Sequence, residues 1–179
     1  MRWPIIALTF VCAAATGRAQ DMPLSQILID GEDWKPVPGM MWPMNRVKVT
    51  APGVEQPTCQ VRSPDGGTLF VGSAVGKYIW AFRIGKDGSL DAGQQYGSLR
   101  VPRDQKDMPV AALCVDSDGR IYAATPTGVQ IFDPTGRLCG VLLNPTGDPV
   151  MKMNLTDGML YVATKSGSFG RKVKSHAVR

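Results

Sequence analysis

Histidine is almost absent from this chain: there is one, His176, in 179 residues. Mixed His/Cys zinc sites and Ser-His-Asp hydrolases both need imidazoles placed among other ligands or nucleophiles. A single histidine close to the C-terminus is a poor general base. Cysteine is scarce too, with four in all and no CxxC pair. Cys12 lies in the N-terminal apolar run, leaving Cys59, Cys114 and Cys139. That odd, sparse set is not a disulfide framework; one bridge and buried free thiols both stay open. No Gly-rich loop follows a strand and opens a helix, so a phosphate cradle is not expected. Aromatic residues are 7% of the chain. Beyond the N-terminus no apolar run is long enough to span a bilayer.

The N-terminus has a purpose of its own. Arg2 precedes an apolar stretch from Ile5 to Ala15, and Gly17-Arg18-Ala19 closes on small residues before Gln20. That is the pattern of a cleaved export signal, so residues 1–19 are expected to be removed and the protein to be secreted or periplasmic. Thr9-Phe10-Val11 lacks the small residue that a lipid-attachment site wants before Cys12. Removing Arg2 and Arg18, with no acid, lowers the formal net charge from +5 to +3. So small an excess does not argue for nucleic acid. The basic tail Gly170–Arg179 reads as a solvated edge strand whose charges discourage edge pairing.

What the chain has in plenty is Gly (20) and Pro (14), together with 44% apolar and 20% charged residues. Many turns favour short strands over long helices. The turns recur. Pro64-Asp65-Gly66 leads into Thr68-Leu69-Phe70-Val71, Asp118-Gly119 into Ile121-Tyr122-Ala123-Ala124, and Asp157-Gly158 into Leu160-Tyr161-Val162-Ala163. A second Gly-bearing turn follows in each copy, at Gly76, Gly128 and Gly167. Third strands are then expected at Tyr78 to Ile84, Val129 to Phe132 and Phe169 to Val173, and a fourth at Arg137 to Leu143. Asp-Gly supplies the positive φ of a tight hairpin, and alternation buries one sheet face.

The turn aspartates stand 53 residues apart (Asp65 to Asp118) and then 39 (Asp118 to Asp157). Four-stranded units at roughly 40–50 residues are the signature of propeller blades. The longer interval holds the polar stretch from Gln94 to Val110, expected to be a loop between blades. The predicted fold is all-β: about three four-stranded blades of a partial β-propeller over residues 51–179. A leader with a spare strand, Asn45 to Thr50, fills residues 20–50. Closed propellers take about four to eight blades. Three leave two open edges, which a second copy, an incomplete ring or a compact sandwich would each handle differently.

These blades resemble the senescence marker protein/gluconolactonase (regucalcin-like) family. Ser63–Leu90 is similar to that family's SPDG-x-TLYV blade ending in W-A-F and DGSL. Val115–Leu142 resembles its VD-x-DG-x-LYVAT-x-x-GV-x-VFDP-x-G blade, and Leu160–Thr164 its last blade. Ile27–Val37 is similar to the leader before its first blade. The resemblance implies a six-bladed propeller that hydrolyses small sugar lactones with a divalent cation on the axis. That ion would be held by a Glu of the first blade, an Asn of a P-N-G motif and an Asp of a P-D-G motif. Oxygen donors suit a hard cation, which can polarise a carbonyl and activate water.

This chain departs from that pattern at every ligand. The P-N-G position falls on Pro57-Thr58-Cys59 and puts Thr58 where the Asn would be. The P-D-G position falls on Val110-Ala111-Ala112 and puts Ala111 where the Asp would be. No Glu-Gly-Pro follows the leader, which reads Pro-Gly-Met-Met-Trp-Pro-Met-Asn-Arg-Val (38–47). The expectation is a degenerate metal site and a binding or structural module. Its alternative is a lactone hydrolase, active as a two-chain ring, with calcium, magnesium or zinc in an altered site. Asp148, near the expected mouth, is the one acid put forward as a ligand-facing candidate. Asp65, Asp118 and Asp157 are turn residues, and Asp116 and Asp133 should bond local backbone. The Met-rich run Met40–Met44 is expected to fill space beside the first blade, and Tyr78 and Trp80 to pack between blades.

Overall fold

The computed structural model describes residues 23–42 and 49–178. The expected export signal therefore lies outside the described residues, as does most of the expected spare strand; residues 49 and 50 take no strand conformation. A short 3-10 turn (Leu24–Gln26) precedes strand β1 (Lys35–Pro36). The first sheet is β2 (Pro57–Arg62), β3 (Thr68–Ser73), β4 (Tyr78–Ile84) and β5 (Leu90–Ser98). The second is β6 (Ala112–Val115), β7 (Ile121–Thr125), β8 (Gly128–Phe132) and β9 (Leu138–Leu142). The third is β10 (Lys152–Thr156), β11 (Met159–Thr164) and β12 (Gly167–Lys172), completed by β1 in the order β1-β12-β11-β10. All pairings are antiparallel.

The repeated turns close each inner hairpin as the sequence implies. Gly66, Gly119 and Gly158 have φ of +72°, +82° and +75°. The carboxylate of Asp65 accepts the Gly67 N–H at 3.0 Å. Asp116 accepts the N–H groups of Asp118 and Arg120 at 3.1 and 2.9 Å.

The inner strands stand in the order β2, β6, β10, with β6 touching both others. The middle sheet is therefore covered on both faces, and every residue of β7 and β8 is buried. Strand β10 instead alternates exposed and buried, because only one of its faces meets a neighbour. One core joins Phe70, Ile79 and Ala81 of the first sheet to Ile121, Ala123 and Phe132 of the second. Another joins Tyr122, Val129 and Ile131 to Leu155, Leu160 and Val162 of the third, with Ile27 of the leader inside it.

Three expectations change. The stretch from Gln94 to Ser98 belongs to β5 and not to a loop; its side chains are polar because an edge strand keeps them in water. The basic tail is not an edge strand, because β1 lies outside β12 and covers it, with Lys35 opposite Gly170. Trp80 does not pack between blades. It joins Leu69, Val71 and Phe82 on the first sheet's other face, where Val49, Ala51 and Val54 cover it.

Candidate functional site at the hub

Thr58 on β2, Ala111 just before β6 and the start of β10 line one cavity of about 440 Å³ at the hub. The hydroxyl of Thr58 donates to the carbonyl of Val110, so it joins the first blade to the approach of the second. The Ala111 side chain brings no ligand atom. Gln60 and Asn154 add carboxamides and Lys152 an ammonium, while Trp42 and Val49 of the leader complete the lining. Cys59 also borders the cavity, and burial pushes its thiol up to about 11, so it stays protonated at neutral pH. Burial likewise pushes Cys114 up to about 12. Cys59, Cys114 and Cys139 are all free thiols.

The family's cation does not fit this donor set. No carboxylate lines the cavity, and residues 43–48 (Pro-Met-Asn-Arg-Val-Lys) contain none. A divalent ion would meet neutral oxygens and the Lys152 ammonium where it normally takes six or more oxygens with carboxylates among them. Among the described residues, no three His, Cys, Asp or Glu side chains gather into a metal-binding group.

The other candidates stand apart from the hub. Asp148, between β9 and β10, accepts a hydrogen bond from the Ser166 hydroxyl and is not part of the cavity lining. His176 is exposed beside Asp157, 3.9 Å away, at the opposite end of the inner strands. Asp116 and Asp133 do bond local backbone, but Asp116 does more. It is fully buried, pairs with Arg120 at 2.9 Å and accepts the Tyr122 hydroxyl at 3.0 Å. Lys152, Gln60 and Asn154 escaped the sequence reading. Their only signal was the exposed phase of inner-strand alternation, which a polar surface strand shares. Of the Met-rich run, Met41 is exposed and the Trp42 indole donates to Ser168 at 2.9 Å; Pro43 and Met44 lie outside the described residues.

Three sheets of antiparallel strands whose inner strands surround a common hub define a β-propeller architecture. A gluconolactonase of Zymomonas mobilis subsp. mobilis is 25% identical over 114 residues, covering 60% of this chain and 32% of that relative. The solved structure of a Xanthomonas campestris gluconolactonase matches with a TM-score of 0.57 and 26% identity, over 67% of this chain and 38% of that one. A putative gluconolactonase (TM-score 0.57, 17% identity, 71% of this chain and 42% of that one) shows the same fold. No family profile matches the chain. It spans about a third of the length of the curated gluconolactonase that it matches. The blades of this chain are thus similar to part of the gluconolactonase propeller.

Proposed function

We propose that the chain is an exported binding module, built on gluconolactonase-like blades, whose hub has exchanged a cation cage for neutral and cationic side chains. The hub lining carries this reading: Ala111 offers no ligand, the Thr58 proton is committed to Val110, and Lys152 brings a positive charge. Arg2, the apolar run Ile5 to Ala15 and the small residues before Gln20 support export. The alternative, sugar-lactone hydrolysis with a divalent cation, is favoured by what the two relatives above 24% identity are called. It would need a ligand set other than the one lining this hub.

The two readings part in one experiment: gluconolactone hydrolysis and thermal melting, each with and without calcium, magnesium or zinc. A native site of micromolar affinity would add about 4 kcal/mol at millimolar metal, because binding only the folded form stabilises it. The expected result is no turnover above buffer and a melting temperature that metal leaves in place. Metal-dependent turnover, or a rise of several degrees, would overturn the proposal.

A further inference from the structure

A cavity of about 740 Å³ lies away from the hub against the free face of the first sheet. Its volume falls within the range typical of small-molecule sites. Neighbouring residues of β4 point opposite ways. Ile79 and Ala81 turn into the core shared with the second sheet, whereas Tyr78 and Trp80 turn outward and stay half-buried as the cavity floor. The leader at Gly53 and Glu55 forms one wall, and the loop 101–107 forms the other.

Both walls are pinned to the β3–β4 turn. The Ser73 hydroxyl donates to the Glu55 carbonyl, and the Ala74 N–H to Gln56 at 2.9 Å. On the other side the Gly76 N–H donates to the Asp107 carboxylate at 2.6 Å, and the Met108 N–H to the Gly76 carbonyl at 2.8 Å. The buried Gln130 carboxamide accepts the Arg100 N–H at 2.7 Å and donates to its carbonyl at 3.0 Å, fixing the start of the loop. The cleft is thus held in shape before a ligand arrives, which lowers the ordering cost of binding.

Four of its polar side chains remain uncommitted. The Glu55 carboxylate, the Gln95 and Gln105 carboxamides and the Trp80 indole N–H have no hydrogen-bond partner among the described residues. The charges balance, Glu55 and Asp107 against Lys77 and Lys106, so no net field selects an ion. We propose that this cleft binds a neutral saccharide. A pyranose has a C–H face that suits the electron-rich faces of Trp80 and Tyr78. Its hydroxyls both donate and accept, as the carboxamides of Gln95 and Gln105 do. None of the cleft's residues lines the hub, and no bond is broken at this site.

The inference rests on the reading of the chain as a binding module, and it can fail separately. The test titrates the whole exported chain with cellotriose, maltotriose and N-acetylchitotriose, with trigalacturonate as an anionic control. Calorimetry and tryptophan fluorescence report binding. At least one neutral trisaccharide should bind with Kd below about 1 mM. Gln95→Ala and Glu55→Gln, both at exposed positions, should each weaken it about tenfold with the melting temperature unchanged. Trp80→Phe keeps a ring in the floor and should reduce the fluorescence response. Absence of neutral-saccharide binding, undiminished binding in both rim variants, or preference for trigalacturonate overturns the assignment. Lactone turnover would overturn the functional reading instead, and the rim variants are scored independently of it.

Discussion

Asp133 shows how much a turn residue can be asked to do. Its carboxylate accepts the N–H groups of Thr135 and Arg137 at 2.8 and 3.0 Å and the Thr135 hydroxyl at 2.6 Å, in a residue that is 4% exposed. Burial alone would push its carboxyl up; the Thr135 and Arg137 bonds outweigh that and hold it below the ordinary 3.8. A carboxyl lowered in the folded state contributes stability above 3.8 that is lost as pH falls through the lower, folded value. Asp133→Asn should therefore cost about 1–3 kcal/mol at pH 7 and noticeably less at pH 3. Urea unfolding at the two pH values measures this; an equal cost at both would refute it. That Asp133 binds its own turn could be read from Phe-Asp-Pro-Thr-Gly, because those partners are within four residues. The Asp116 contact with Tyr122 could not, because it crosses a hairpin into a core whose far wall is Ser175, 2.6 Å from the Tyr122 hydroxyl.

At the scale of the element, the third sheet is the instructive case. Three of its strands follow from the Asp157-Gly158 and Gly167 turns, but the fourth comes from the other end of the chain. Strand β1 is two residues long and carries Pro36, so no alternation marks it. The residues around it anchor it. The Trp34 indole donates to the Leu143 carbonyl at 2.9 Å, the Lys174 N–H to the Ile27 carbonyl at 2.8 Å, and Ile27 is fully buried between the second and third sheets. Ile27→Ala should destabilise the protein by about 2–5 kcal/mol, read as a shift in denaturant midpoint. A cost near zero would mean that the leader is not part of the cooperative fold. Strand β5 was missed for the opposite reason: it is long, but its polar outer-edge residues imitate a loop.

At the scale of the molecule, the question is how three blades manage two free flanks. The leader runs from β1 on the third sheet to β2 on the first. On the way Trp42 bonds Ser168 on the free face of the third sheet, and Val49, Ala51 and Val54 cover the free face of the first. The free face of β10 carries the exposed side chains of Lys152, Asn154 and Thr156. A second copy closing a ring would have to displace the apolar cover from one flank and desolvate an ammonium on the other, at a cost of several kcal/mol. Light scattering should give a monomer, with a melting temperature independent of protein concentration. A stable dimer would restore the two-chain ring. Among the described residues no helix is long and apolar enough to cross a membrane.

Blade identity and hairpin positions were readable along the chain, because Asp-Gly turns and period-two alternation act over a few residues. The fourth strand of the third sheet, the side chains that share the hub and the cleft beneath Tyr78 and Trp80 were not. Each depends on contacts between segments far apart in sequence, and only the packing of whole sheets selects which of many similar surface positions come to face one another.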